Sequence, residues 1–246
     1  MVERLEQPEL DALWDVDDPV GSAERIAAAA SRPDRPELVR AELQTQRARA
    51  FGLQGRFAEA DALLASLEPA TGILHVRIVL ERGRLLNTEG RHAEAVEMFQ
   101  EAVQAARREG DVFLAVDAAH MLAIADPARG EQWTEEADAE LAATTDPRIL
   151  RWRVALRSNR GWSLLEEGDA EAALREFDRA LEAAVEYGTP DQRFAARWAV
   201  ARALRSAGRA EEALELQRRL AEERPEDPYV VAELAALTGA APTIEP

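Results

Sequence analysis

The chain has 246 residues, 47% hydrophobic but only 5% aromatic, with no cysteine and a net charge of −17. The missing cysteines exclude disulfides and thiolate chemistry, and so negative a chain repels nucleic acid and anionic membranes on average. All 30 basic residues are arginine, whose planar fork stays charged and grips carboxylates or phosphates in two places.

Alanine and leucine carry the apolar quota, which suits close-packed helices better than sheets. The start, MVERLEQPEL, lacks a basic segment followed by an apolar run, and no apolar run of about 18 residues could span a membrane. A cytoplasmic protein is expected. Residues 1–35 read as a lead-in and a capping helix. Pro8 to Trp14 supplies a turn or two of helix. Ser22 is the expected N-cap of a helix from Ala23 to Ser31, which Pro33 ends. The aspartates of DVDDPVGS do not make a calcium loop, because Pro19 stands where a third ligand belongs and no spaced glutamate follows.

From residue 36 onward the chain divides into helical pairs over 36–70, 71–109, 110–146, 147–188 and 189–225. The first helices are predicted at Pro36 to Leu53, Thr71 to Thr88, Asp111 to Ala125, Pro147 to Glu166 and Asp191 to Ser206. The second helices follow at Phe57 to Glu68, His92 to Arg108, Gln132 to Ala143, Asp169 to Tyr187 and Ala210 to Glu223. The third pair diverges, its longer turn ADPARG combining Pro127 and Gly130. Residues 226–246 add a last helix, Pro228 to Leu237, and a fraying tail.

Four of the pairs share one pattern. Gly55, Gly90, Gly168 and Gly208 each precede an alanine by five residues, at Ala60, Ala95, Ala173 and Ala213. A large residue stands four further on: Leu64, Phe99, Phe177 and, less well, Gln217. Glycine makes the tight turn, alanine lets helices approach and the large residue fills the gap between hairpins. The glycines lie 35, 78 and 40 residues apart, the period of a helical solenoid.

These hairpins resemble the tetratricopeptide repeat family over roughly residues 36 to 225. The turn glycines and alanines match the family pattern, and its small eighth residue appears as Ala48, Gly83, Gly161 and Ala201. Pro225 matches the closing proline, whereas the early tryptophan is missing. The third pair fits only if Ala119 takes the eighth position. The resemblance implies an all-α, right-handed superhelical solenoid of about five hairpins with capping helices at both ends. It specifies packing and says little about function.

In that family the first helices line the concave groove. Here the first helices carry +7 in total and the second helices −16, so the resemblance implies a positive groove and an acidic back. In the family the residue after the eighth position points into the groove, and the resemblance implies that role here for Arg49, Arg84, His120, Trp162 and Arg202. Helical neighbours on that face add Arg77, Trp198 and Arg205. Arginine forks with flat apolar anchors suit an acidic or C-terminal peptide segment. The expected function is therefore a protein-interaction scaffold or adaptor. The alternatives are RNA or another polyanion held by the same arginines and tryptophans, and a sensor of small signalling peptides. Self-association through the end helices is a further option. The arginines could instead pair with Glu42, Glu81 and Asp117 on the same helices and simply solvate the face. Arg47, Arg82 and Arg160 recur one residue before the eighth position, as a structural ladder to neighbouring acids would.

Nothing marks a catalytic centre. His75, His92 and His120 share no spacing, and EGRH at Glu89 to His92 crosses a turn rather than forming a metal-binding helix face. Phosphate loops, dinucleotide motifs, zinc spacings and Gly-x-Ser-x-Gly are all missing. No enzyme activity, cofactor or metal is expected.

Overall fold

The recurring glycines sit in the left-handed region, with φ of +73° at Gly55, +79° at Gly90, +86° at Gly168 and +77° at Gly208. These values come from a computed structural model that describes residues 4–239. A side chain is strained in this region and glycine is not. Each turn is closed by a backbone bond from the next N–H back to a helical carbonyl: Arg56 to Phe51, Arg91 to Leu86, Asp169 to Leu164 and Arg209 to Leu204. That bond stops one helix and redirects the chain into the next. Arg56, Arg91 and Arg209 then reach forward to Glu59, Glu94 and Glu212, forming exposed clasps on the first turn of the following helix.

No strand occurs among the described residues. They divide into two units, Met1–Glu140 and Leu141–Pro246. The first contains α1 (Gln7–Leu13), α2 (Pro19–Ala30), α3 (Glu37–Leu53), α4 (Phe57–Ala65), α5 (Gly72–Thr88), α6 (His92–Glu109) and α7 (Val112–Ala125). A 3-10 turn, Pro127–Arg129, leads into α8 (Gly130–Ala142), and the division falls in the last turn of that helix. Within this unit α3 pairs with α4 and α5 with α6, while α5 stacks on α3 and α7 on α6. The second unit contains α9 (Pro147–Leu150), α10 (Trp152–Glu166), α11 (Ala170–Tyr187), α12 (Pro190–Ser206), α13 (Ala210–Glu223) and α14 (Pro228–Thr238). There α10 pairs with α11 and α12 with α13, and α14 packs on α13.

Two local expectations change. The capping helix α2 begins at Pro19 rather than Ala23, because Asp18 accepts a bond from the Gly21 N–H and proline favours the first helical position. Ser22 is thus inside the helix, where its hydroxyl exchanges bonds with the Asp15 backbone. The first helix of the fourth pair is broken at Arg151: Asp146 caps the short α9, and the Val154 N–H bonds back only three residues to Arg151.

The pattern's packing logic is visible in the core. Ala60, Ala95, Ala173 and Ala213 have no exposed surface, and neither do Leu64, Phe99, Phe177 and Gln217. A Cβ added at Gly83 would lie 2.5 Å from the Phe99 ring, and one at Gly161 would lie 2.5 Å from the Phe177 ring. The first repeat keeps the same volume differently, with Ala48 and the smaller Leu64 in one cluster. Glycine against phenylalanine and alanine against leucine fill equivalent space. In the fifth repeat the large position holds Gln217, whose buried amide N and O find no partner among the described residues.

Replacing Gly161 with alanine is expected to lower stability by about 1–3 kcal/mol, since Phe177 is enclosed and cannot yield; a urea midpoint equal to that of the unmodified chain would refute it. Gln217→Leu should act in the opposite direction. Removing an unsatisfied buried amide is expected to add about 1 kcal/mol, read as a raised thermal midpoint.

Candidate functional site

Helical periodicity aligns residues at i, i+4 and i+7 on one face. On α3 that stripe is Glu42, Gln46 and Arg49, on α5 it is Arg77, Glu81 and Arg84, and on α7 it includes Asp117 and His120. These side chains form a polar network within the first unit. Arg84 donates to Glu81 and Asp117, each at 2.5 Å. Glu81 also accepts from Gln46 Nε2 at 3.1 Å, and Gln46 Oε1 accepts from Trp14 Nε1 at 3.3 Å. Arg77 lies 3.8 Å from Glu42, with both side chains buried. Arg49 lies over the Trp14 ring, 5.3 Å from its centre.

The electrostatics follow from this enclosure. Burial opposes the Arg84 charge, but Asp117 and Glu81 more than offset it and hold the guanidinium above its ordinary range. Burial likewise pushes Asp117 up, and Arg84 and Arg49 pull it below the usual carboxylate value. Burial pushes the His120 imidazole down to about 4, with Asp117 opposing the shift and Arg84 and Arg49 adding to it. Arg49, Arg77, Arg84 and His120 are therefore brought together; Glu81 and Asp117 occupy the fork of Arg84, and Glu42 stands near Arg77 without a hydrogen bond to its Nε.

The other four expected residues lie in the second unit and form a different surface. Trp162 on α10 packs edge-on against Phe177, with centroids 4.9 Å apart, and tilts against Trp198 at 5.7 Å. Trp198 meets Tyr229 of α14 at 5.6 Å. This makes an aromatic ladder across three helices. Both tryptophans are half-buried at the edge of the core, whereas Tyr229 is 66% exposed. Beside the ladder, Arg205 grips Glu233 of α14 with two bonds of 2.7 and 3.0 Å. Arg202 approaches the same carboxylate at 3.1 Å and donates to Ser206. Both arginine side chains keep about a third of their surface exposed, at 31% and 30%.

Sequence reasoning missed Glu233 and Tyr229. The available signal was that Glu233 is the only charged residue in PYVVAELAALT, which marks a buried ion-pair partner more than a solvated acid. The recurring arginines differ among themselves. Arg82 makes a bidentate pair with Glu68 at 2.8 Å, Arg47 lies over Phe51, and Arg160 stands 3.7 Å from Glu167.

Residues 45–111 and 158–228, together more than half of the chain, match the Tetratricopeptide repeat family. The chain belongs to that family. Among solved structures it is similar to BtubC from P. vanneervenii, at 17% identity and a TM-score of 0.62, covering 95% of this chain and 96% of that one. It is similar also to the apo form of the quorum sensor NprR from B. thuringiensis, at 14% identity and a TM-score of 0.62, covering 94% of this chain and 66% of that one. A third likeness is to the TPR-like repeats of a putative kinesin light chain from Podosopora anserina, at 21% identity, a TM-score of 0.54, and 78% and 94% coverage. At these identities the likeness is one of fold. No curated protein matches the chain significantly in sequence. Tetratricopeptide repeats are scaffolds for protein and peptide partners rather than catalytic frameworks. Among the described residues no helix is long and apolar enough to cross a membrane, and no three His, Cys, Asp or Glu side chains are grouped to hold a metal.

The enclosed network predicts two responses. Asp117→Ala strips the buried Arg84 of one partner and should cost about 3–5 kcal/mol. His120 binds protons more readily unfolded than folded, so its contribution to stability is complete above pH 6.5 and lost as pH falls toward 4. Urea midpoints measured between pH 6.5 and 4 should fall further for the unmodified chain than for His120→Gln, by no more than ~3 kcal/mol. Parallel curves would mean that His120 titrates normally.

Proposed function

We propose that this tetratricopeptide repeat protein is a non-enzymatic cytoplasmic scaffold that binds an acidic peptide segment on the first-helix face of its second unit. The observation that carries this reading is the partly exposed ladder of Trp162, Trp198 and Tyr229 beside Arg202 and Arg205. Flat rings give a large apolar contact at low entropic cost, and adjacent guanidinium forks select a carboxylate. The charge distribution supports the same direction of recognition, because α10 and α12 stand in the most basic first-helix stretches of the chain, each +3. Arg49, Arg77, Arg84 and His120 act as a platform in the first unit, where Arg84 is held by two acids and Arg49 lies over Trp14.

Fluorescence anisotropy with aspartate- and glutamate-rich peptides, each carrying one leucine or phenylalanine, tests the proposal. Trp198→Ala and Arg202→Ala should each weaken binding roughly tenfold, the loss of about 1.4 kcal/mol. Arg202→Ala leaves Glu233 held by Arg205, so α14 stays seated and the thermal midpoint should barely move. Equal binding by both variants and the unmodified chain would remove this surface from consideration.

A further inference from the structure

The first-helix face of the first unit is covered by the chain's own beginning. Arg4 pairs with Asp111 at 2.6 Å, at the start of α7. The Leu5 N–H donates to Glu42 Oε2 at 2.9 Å in the middle of α3. Trp14 reaches Gln46 and stacks under Arg49, one and two turns further along the same helix. Glu9 fills the fork of Arg35 with bonds of 3.0 and 2.5 Å. Leu5 and Leu10 are buried against Ile26, Ala30, Val39 and Leu43.

These contacts have the character of peptide recognition. A fully buried carboxylate reads a main-chain N–H, two leucines fill an apolar recess, and charged groups fix both ends. Asp111 serves twice, one oxygen capping α7 through the Leu114 N–H and the other holding Arg4. Helix α1 has seven residues and no side-chain N-cap bond. A helix that short does not sustain itself in water, so the surface beneath lends it its shape. The turn that follows is fixed separately by the Asp15 and Ser22 bonds, so the segment ends at a tethered point.

We propose that this face is a second peptide-binding site, for a leucine-bearing segment led by a basic residue and closed by an aromatic one, with Arg4–Trp14 as its resident ligand. Its preference is distinct from that of the acidic-peptide surface of the second unit and does not depend on it. A partner segment of the same chemistry enters by displacing the resident one.

The probe is a fluorescein-labelled peptide of residues 4–14, RLEQPELDALW, titrated into the full chain and into a full-chain Leu5→Asp/Leu10→Asp variant that cannot seat its own segment. The variant should bind the peptide at least tenfold more tightly than the unmodified chain. Adding Glu42→Gln to the variant should weaken binding tenfold, and Asp111→Asn should weaken it at low salt only. A folded variant that ignores the peptide overturns the proposal. Hydrogen exchange on the unmodified chain gives an independent readout should the variant lose its helical circular dichroism. Amides of residues 7–13 should exchange at least 100-fold faster than those of α2 and α3. Exchange of all three helices at one common rate would make the segment an inseparable part of the core and refute the idea.

Discussion

The contact between a phenyl ring and an empty Cβ position governs the spacing of the helices. Phe99 rests on Gly83 and Phe177 on Gly161, with no room for a methyl group between them. In the same two hairpins Ala95 and Ala173 of the second helices have no exposed surface. In the first repeat, where leucine replaces the ring, alanine replaces the glycine, and Ala48 and Leu64 are both fully buried in one cluster.

The same spacing gives different chemistry in the two units. In the first, charged residues at matching positions of α3, α5 and α7 come within reach and neutralise one another inside the protein. Removing one acid leaves the buried Arg84 charge only partly compensated, so the network favours one arrangement of the three helices. In the second unit the matching positions hold aromatic and small residues. The rings stack, and Arg202 and Arg205 share one carboxylate, that of Glu233 on α14. One architecture thus supplies an ion-paired face and an apolar, cationic face.

The repeat register, turn glycines, alanines and most helix boundaries were legible in the sequence, because each depends on residues within a dozen positions. The break at Arg151 and the Asp18 cap were not, since they turn on single hydrogen bonds that compete with equally plausible neighbours. For the candidate site, the family resemblance gathered Arg49, Arg77, Arg84, His120, Trp162, Trp198, Arg202 and Arg205 on one first-helix face, whereas the first four and the last four belong to different units. It left open whether Arg77 and Arg84 face solvent or Glu42, Glu81 and Asp117. That depends on how far the helices approach and on what lies above them, and the covering segment is distant in sequence. Glu233 escaped notice for the same reason: its partners stand 28 residues and more away.

The turn glycines have one more consequence. At Gly55, Gly90, Gly168 and Gly208 nothing lies within 4 Å of where a side chain would begin. Space is therefore not what reserves these positions for glycine; the sign of φ is. The requirement is one of chirality, and a residue of the opposite hand would meet it without strain. Each of these four hairpins carries at its turn a point where the chain's own handedness is the obstacle, and an achiral residue removes it.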